Sequence, residues 1–291
     1  MSRVDFAVPP DACDCHVHVF PDAARYPFVP KRVYTPPPAP VADLDAYLSG
    51  LGLRRVVIIQ PSIYGTDNSA LLDTLDALSG RARGVAVIDD GISDAALNDM
   101  HRSGVRGVRV NLEMDGEHDP GRSARRLREA AARVARLGWH IQLFCLADMV
   151  GALADVLADL PVPIVLDHLG GIAAGRGLDQ PGFGAVLALL KAGNTYVKAS
   201  GAYLCSDGAP GFPDIVPFAQ AVIDANPDRI VWGSNWPHPD GARVPDRDPF
   251  AVRPFLPVGH VDTLNLLGRW APDAEARRKV LVDNPARLYG F

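Results

Sequence analysis

Short runs of apolar and β-branched residues recur along the chain and alternate with longer amphipathic stretches. The short runs predict eight strands, at Cys13–Val19, Arg55–Gln60, Gly84–Ile88, Gly107–Asn111, His140–Cys145, Ile164–His168, Thr195–Ser200 and Ile230–Ser234. The stretches between them predict helices at Asp43–Leu51, Ser69–Leu78, Ala95–Ser103, Ser123–Leu137, Asp148–Leu160, Phe183–Ala192 and Asp214–Ala225. Strands that are apolar throughout are typical of parallel sheets covered by helices. Eight such units predict one α/β domain over residues 1–291, a (β/α)8 TIM barrel.

A doubly wound open sheet is the alternative architecture for alternating strands and helices. Such a sheet carries a glycine-rich phosphate-binding turn after an early strand, and the sequence has no such turn. The closed barrel is therefore favoured.

Two proline-rich segments interrupt the alternation, at residues 20–41 and 237–259. Proline fits neither a regular helix nor a central strand, so both segments are predicted to be long loops. They follow the first and the eighth strand, which become neighbours when a barrel closes. We expect them to form two adjacent walls over the catalytic mouth.

Composition and charge exclude several classes of function. The chain has 29 Lys and Arg residues against 34 Asp and Glu residues, so its formal charge is −5 and no basic run suggests a nucleic-acid partner. Residues 1–10 lack a basic region followed by an apolar stretch, and no apolar run reaches the length of a membrane span. We expect a soluble, cytoplasmic, catabolic enzyme, with a homo-oligomer allowed.

The first strand carries the densest polar pattern of the chain. Its period of two places Asp14, His16 and His18 on one face, and the thiols of Cys13 and Cys15 on the other. Two imidazoles on one face of a strand can hold a metal ion or a developing oxyanion. Two thiols at this spacing can bind a metal, but a pair of buried core cysteines is favoured.

Catalytic residues of a TIM barrel lie at the C-terminal ends of its strands. His168 ends the sixth strand, and Asn235 and His238 follow the eighth. Arg109 lies within an apolar strand, where it requires an anion, either a substrate carboxylate or a structural partner such as Asp89. Further candidates for substrate binding at or after strand ends are Ser62, Tyr64, Gln142, Lys198 and Tyr203.

These motifs, in this order, resemble the amidohydrolase superfamily, and more narrowly its branch of 2-pyrone-4,6-dicarboxylate lactonases and aldarolactone isomerases. The residues that carry the resemblance are Asp14-Cys15-His16-Val17-His18, Gly65-Thr66-Asp67-Asn68, Gly107-Val108-Arg109, Asp167-His168 and Trp232-Gly233-Ser234-Asn235-Trp236-Pro237-His238-Pro239. The resemblance implies that His16, His18 and His168 surround the scissile carbonyl, either without a cofactor or around one divalent metal, with zinc expected. It also implies that Arg109 and Ser62 hold a substrate carboxylate.

The sequence departs from the family pattern in two places. Asn235 stands where the family usually has an aspartate, and an amide cannot take a proton from water. The stretches around Glu113 and Tyr203 lack the arginines that hold a second carboxylate in the dicarboxylate lactonases. Asn235 is either the natural residue or an engineered replacement of aspartate, and both alternatives stay open.

The leading hypothesis is a hydrolase that opens a small carboxylate-bearing lactone, with His238 or a metal-bound hydroxide as the base. Asn235 would then orient the water or the ring oxygen. The main competing hypothesis is an isomerase of sugar-acid lactones, because ring migration requires no activated water. A metal-dependent decarboxylase of the same superfamily and a non-catalytic barrel that binds an anion also stay open.

Overall fold

The computed structural model describes residues 3–208, 210–241 and 246–291. Eight parallel strands pair in chain order, each with the next, which confirms the predicted α/β barrel. The strands are β1 (Cys13–Val17), β2 (Arg55–Ile59), β3 (Ala82–Ala86), β4 (Val105–Asn111), β5 (His140–Phe144), β6 (Ile164–Leu166), β7 (Thr195–Ala199) and β8 (Ile230–Trp232).

The barrel closes just beyond the C-terminal end of β8. The backbone N–H of Asn235 donates to the carbonyl of His16 at 2.8 Å, and the N–H of His18 donates to the carbonyl of Trp236 at 2.8 Å. The residues that complete the ring of strands are therefore the same residues from which the sequence predicts the chemistry.

Helices cover the outside of the barrel, and most match the predicted stretches within a few residues. They are α1 (Val41–Leu51), α2 (Ser69–Ala77), α3 (Asp94–Arg102), α4 (Leu112–Asp115), α5 (Pro120–Val134), α6 (Ala147–Ala152), α7 (Ala154–Asp159), α8 (His168–Gly171), α9 (Phe183–Ala192), α10 (Ala202–Cys205), α11 (Val216–Ala225), α12 (His260–Trp270), α13 (Ala274–Arg278) and α14 (Asn284–Tyr289). The helix predicted at residues 148–160 is divided at Leu153 into α6 and α7. The sequence pattern did not reveal α12, which begins directly after the second proline-rich segment.

The two proline-rich loops lie side by side, as predicted. Thr35 forms a parallel bridge with Val252, and its hydroxyl donates to the carbonyl of Pro249 at 2.6 Å. The rings of Phe20 and Phe255 stack with centroids 6.0 Å apart. Residues 242–245 of the second loop lie outside the described residues.

The predicted division of β1 into two faces is wrong, because Asp14 contacts α1 whereas the Cys13 and Cys15 thiols lie on the interior side. The register of β1 against β2 shifts between Asp14 and Val17, so strict alternation does not hold along the strand. The Asp14 carboxylate accepts a hydrogen bond from the Tyr47 hydroxyl of α1 at 2.8 Å, whereas the rings of His16 and His18 lie at the mouth of the barrel. Cys13 and Cys15 are free, buried thiols inside the barrel, as favoured from the sequence.

The residues around Tyr289 close the floor of the barrel, which is the end opposite the predicted catalytic mouth. Tyr289 is fully buried among the interior residues of the strands and contacts the His140 ring edge-on. The guanidinium of Arg83 donates to the carbonyl of Tyr289 at 3.2 Å and lies over the ring of Phe291. The Tyr289 hydroxyl has no hydrogen-bond partner among the described residues.

No helix within the described ranges is both long and apolar enough to span a membrane. The cytoplasmic location and the homo-oligomer stay predictions.

Replacement of Tyr289 tests whether the floor depends on ring packing. We expect Tyr289→Ala to lower the free energy of unfolding by about 3–5 kcal/mol, because it leaves a cavity under the barrel. Tyr289→Phe retains the ring and removes only an unpartnered buried hydroxyl, so it is expected to change stability by less than about 1 kcal/mol. Urea denaturation of both variants measures the difference, and equal losses would contradict the packing role.

Candidate active site

A cavity of about 370 Å³ opens at the C-terminal ends of the strands. Five of the residues predicted from the sequence line it: His18, Ser62, Arg109, His168 and Asn235. His16 lies directly beneath them and is fully buried. The structure therefore brings the three predicted histidines together, with ring centroids 5.1 Å apart for His16 and His18 and 4.8 Å apart for His16 and His168.

A buried carboxylate, Asp167, organises the residues under the cavity. Its Oδ1 lies 3.3 Å from His16 Nδ1 and 3.5 Å from Lys198 Nζ. Its Oδ2 accepts a hydrogen bond from Gln142 Nε2 at 3.0 Å and lies 3.6 Å from Arg109 Nη2. Burial by itself raises the pKa of Asp167, but Lys198 and then His16 outweigh burial and hold the pKa well below its usual range. Asp167 is therefore a permanent anion at neutral pH.

The hydrogen-bond partners of His16 and His18 differ. His16 Nδ1 lies 3.3 Å from Lys198 Nζ, which can only donate, and 3.3 Å from Asp167 Oδ1, which can only accept, so each tautomer of this ring has a partner. His18 Nδ1 lies 2.8 Å from the carbonyl of Ile59, and because a carbonyl can only accept, Nδ1 carries the proton and Nε2 has the lone pair. His16 Nε2 is buried with no hydrogen-bond partner among the described residues.

Both rings are neutral at physiological pH. Burial, followed by the charge of Lys198, lowers the pKa of His16 well below its usual range. Burial, followed by the charge of Arg109, lowers the pKa of His18 to about 3. Two neutral rings thus meet at the base of the cavity, and the Nε2 of His18 is an acceptor.

His168 is the third ring of the cluster. Its Nδ1 lies 3.0 Å from the Ser200 hydroxyl, and burial lowers its pKa to about 4. Phe144 meets this ring edge-on, with centroids 5.1 Å apart. Gly201 leaves space for the ring, because a Cβ atom there would lie 2.6 Å from His168 Nδ1.

Arg109 is the only cationic side chain among the described residues that line this cavity. It is 8% exposed, its Nη1 donates to the carbonyl of Gln60 at 3.4 Å, and its Nε has no hydrogen-bond partner among the described residues. Its carboxylate partner within the protein is Asp167, so the predicted alternative of a structural ion pair with Asp89 is wrong. A guanidinium with a long ionic contact and an unfilled donor can still bind a planar anion.

Asn235 reaches the cavity, whereas His238 lies behind it. Asn235 Nδ2 donates to the Tyr203 hydroxyl at 2.7 Å, and that hydroxyl lies 3.3 Å from His238 Nδ1. Asn235 Oδ1 has no partner among the described residues. Burial, followed by the charge of His260, lowers the pKa of His238 to about 3, and the ring lines a separate cavity beside α1. Tyr203 and His238 therefore orient Asn235.

Four residues predicted to bind substrate do not line the cavity, and one of them, Tyr203, instead holds Asn235. Gln142 and Lys198 are fully buried, and Lys198 Nζ donates to Gln142 Oε1 at 2.7 Å beneath the histidines. Tyr64 is 1% exposed and packs against Phe28. We therefore assign Gln142 and Lys198 to the support of Asp167 and remove Tyr64 from the binding set.

Several residues of the site were missed. Asp167 and Ser200 support the histidines, while Tyr34, Asn111 and Glu113 line the cavity. Asn111 shares a face of β4 with Arg109, so the period of the strand could have indicated it. Tyr34 lies in a proline-rich loop, where no periodicity exists to place a side chain.

The described residues include one group whose donor atoms converge closely enough to hold a metal ion: His16, Asp167 and His168. His18, which the sequence predicted as a ligand, is outside this group. The donor set fits a divalent ion, but the Lys198 ammonium already lies 3.3 Å from His16 Nδ1 and 3.5 Å from Asp167 Oδ1. A metal would therefore compete with the Lys198 ammonium for His16 and Asp167.

Comparisons with known proteins agree with this geometry. The family model described as Amidohydrolase matches residues 13–291. The chain is 38% identical over 299 residues to a 2-pyrone-4,6-dicarboxylate hydrolase of Comamonas testosteroni, covering 99% of this chain and 93% of the relative. It is 35% identical over 291 residues to a 4-sulfomuconolactone hydrolase of Rhizobium radiobacter, covering 99% and 92%.

A solved structure from Pseudomonas putida, described as a 2-pyrone-4,6-dicarboxylic acid hydrolase, superposes with a TM-score of 0.81 at 32% identity and covers 97% of this chain and 98% of that chain. With its histidines, arginine and buried aspartate at the mouth of a TIM barrel, this chain belongs to the amidohydrolase family.

Proposed function

We propose that this protein hydrolyses a small lactone that carries a carboxylate. The observation that carries the proposal is the pair of neutral imidazoles, His16 and His18, beside the incompletely bonded guanidinium of Arg109. The proposal takes the His16 tautomer in which Lys198 donates to Nδ1 and the proton is on Nε2, opposite the lone pair of His18 Nε2. Ester hydrolysis requires these three functions: an anchor, an oxyanion donor and a base.

The substrate carboxylate binds to Arg109 at the edge of the cavity. A planar guanidinium with a free Nε matches a carboxylate in two parallel hydrogen bonds. Ser62 lines the same cavity and supplies a hydroxyl to the anion. This anchoring fixes the position of the lactone ring over the histidines.

His16 and His18 then act on opposite sides of the reacting carbon. His16 Nε2–H donates to the lactone carbonyl oxygen, and His168 lies beside it as the third ring of the cluster. His18 Nε2 takes a proton from the attacking water, so His18 replaces His238 as the proposed base. Donors held in a buried site stabilise the tetrahedral oxyanion without reorganisation.

Ring opening completes the reaction. The tetrahedral carbon reforms its carbonyl, the bond to the ring oxygen breaks, and that oxygen takes the proton held by His18. Asn235 Oδ1, which has no partner among the described residues, orients the water or the ring oxygen. The proton gained from water thus returns to the leaving group, and the product is the open hydroxy acid or its keto form.

A divalent ion such as zinc, when bound, would be held by His16, Asp167 and His168 and would polarise the lactone carbonyl. The protein residues already supply a donor at the same place, through the proton on His16 Nε2.

Replacement of Arg109 and His168 separates binding from turnover. We expect Arg109→Ala to raise KM about 100-fold with a smaller change in kcat, because it removes a charged anchor. We expect His168→Ala to lower kcat about 100-fold, because it removes a group beside the carbonyl. Steady-state kinetics on carboxylated lactones measure both constants.

Matched variants control this comparison. Arg109→Lys retains the charge without the planar fork and is expected to lie between wild type and Arg109→Ala. Arg128→Ala removes an exposed arginine of α5 and should leave both constants unchanged. Wild-type constants in both Arg109→Ala and His168→Ala would refute the site assignment.

Replacement of Lys198 tests its competition with metal. Lys198→Met removes the ammonium that donates to His16 Nδ1. The proton of the His16 ring can then be on Nδ1, facing Asp167, which leaves Nε2 free to bind a metal. We expect zinc affinity to rise at least tenfold, measured by equilibrium dialysis and elemental analysis of the protein. Lys191→Met, at an exposed position of α9, is the control, and equal zinc affinity in wild type and Lys198→Met would contradict the competition.

Isomerisation of a sugar-acid lactone is the second candidate, favoured by Asn235. An amide cannot take a proton from water, whereas ring migration only moves a proton between hydroxyl groups. Proton NMR of the reaction separates the candidates. We expect ring-opened acid from the wild-type protein; a shifted ring without free acid, together with hydrolysis gained in Asn235→Asp, would identify an isomerase instead.

A further inference from the structure

The cavity is charged unevenly. Arg109 supplies the positive end, whereas Glu113 of α4 lines the wall beyond it. The Glu113 carboxylate has no ion pair with a described residue. The second acidic residue of the wall, Asp240, lies 3.0 Å from the guanidinium of Arg247, so its charge is balanced. Glu113 is therefore the acidic group that a substrate must accommodate.

Asn111, two residues before Glu113, lines the same cavity. Its Oδ1 accepts from the backbone N–H of Met114 at 3.0 Å, which fixes the orientation of the amide as the cap of α4. Asn111 Nδ2 is then buried with no hydrogen-bond partner among the described residues. The cavity thus has both a donor residue and an acidic residue at the start of α4.

A hydroxyl group is the substituent that satisfies both. It can donate to Glu113 and accept from Asn111, whereas a second carboxylate or a sulfonate would meet a like charge at Glu113. The relatives of this chain include a hydrolase whose substrate name specifies a dicarboxylate. A second anionic group requires a positively charged wall, whereas this wall carries the negative charge of Glu113.

We propose that the substrate is a lactone with a single carboxylate, held by Arg109, and with a hydroxyl group facing Asn111 and Glu113. This assignment rests on the proposed lactone hydrolysis and specifies its substrate class. Glu113 is a specificity-determining residue, because it excludes lactones that carry a second anionic group.

Kinetics on three lactones test the assignment. Muconolactone carries one carboxylate, 4-sulfomuconolactone adds a sulfonate to the same ring, and galactaro-1,4-lactone carries one carboxylate with several hydroxyls. We expect kcat/KM of the wild-type protein to be at least tenfold lower with the sulfonate than without it, and highest with the hydroxylated lactone.

Two variants identify the residues responsible. Glu113→Gln removes the charge with little change in shape and is expected to reduce the discrimination against the sulfonate to less than about threefold. Asn111→Asp retains the helix-capping oxygen and replaces the donor, so it should lower the ratio of galactarolactone to muconolactone kcat/KM about tenfold. Asp115→Asn, on the exposed side of α4 in an ion pair with Arg126, is the control and should change neither ratio.

Equal use of muconolactone and 4-sulfomuconolactone by the wild-type protein would overturn the proposal. Discrimination that persists unchanged in Glu113→Gln would overturn the role of Glu113. Calorimetric binding of the same lactones distinguishes failure of the function from failure of the specificity. A binding preference for the monoanion without ring opening would contradict only the hydrolase, and ring opening without the preference would contradict only the substrate class.

Discussion

The active site depends on one buried anion, Asp167. A carboxylate without partners inside a protein is costly, and here side chains from four strands compensate it: His16 of β1, Arg109 of β4, Gln142 of β5 and Lys198 of β7. Because each strand supplies one partner, the ends of these strands are held in register by a single charge. The same charge keeps Lys198 beside His16, so His16 Nδ1 faces an ion pair rather than a single partner. In the proposed mechanism this ion pair determines which nitrogen of His16 carries the proton.

His16 and His18 have the same side chain but different hydrogen-bond partners. Both are neutral and buried, and they lie two residues apart at the end of β1. The difference is the group behind each ring, which is the Lys198–Asp167 ion pair for His16 and the Ile59 carbonyl for His18. In the proposed mechanism an electrophilic donor and a proton acceptor therefore arise without any difference in residue type.

The fold and most of the lining of the cavity could be predicted from the sequence, since apolar strands, helix spacing and polar strand ends all obey local rules. Supporting residues could not, because Asp167 gains its role from Lys198 and Gln142, which are remote in sequence. Strict alternation failed at Asp14, where a shift of register against β2 turns the carboxylate toward α1. The position of His238 after β8 suggested it as a base, because no sequence pattern reveals that its ring lies behind Asn235 with the Tyr203 hydroxyl between them.

Closure of the barrel explains how the chemistry at position 235 can vary without loss of the fold. The backbone N–H of Asn235 bonds to the carbonyl of His16, and its φ of 65° lies in the left-handed region. Asparagine and aspartate tolerate that region better than most other residues with a side chain, so either can complete the ring of strands. The side chain is then free to carry a proton acceptor or an amide. Residue 235 thus has two separable parts: its backbone closes the barrel, and in the proposed mechanism its side chain orients the water or the ring oxygen.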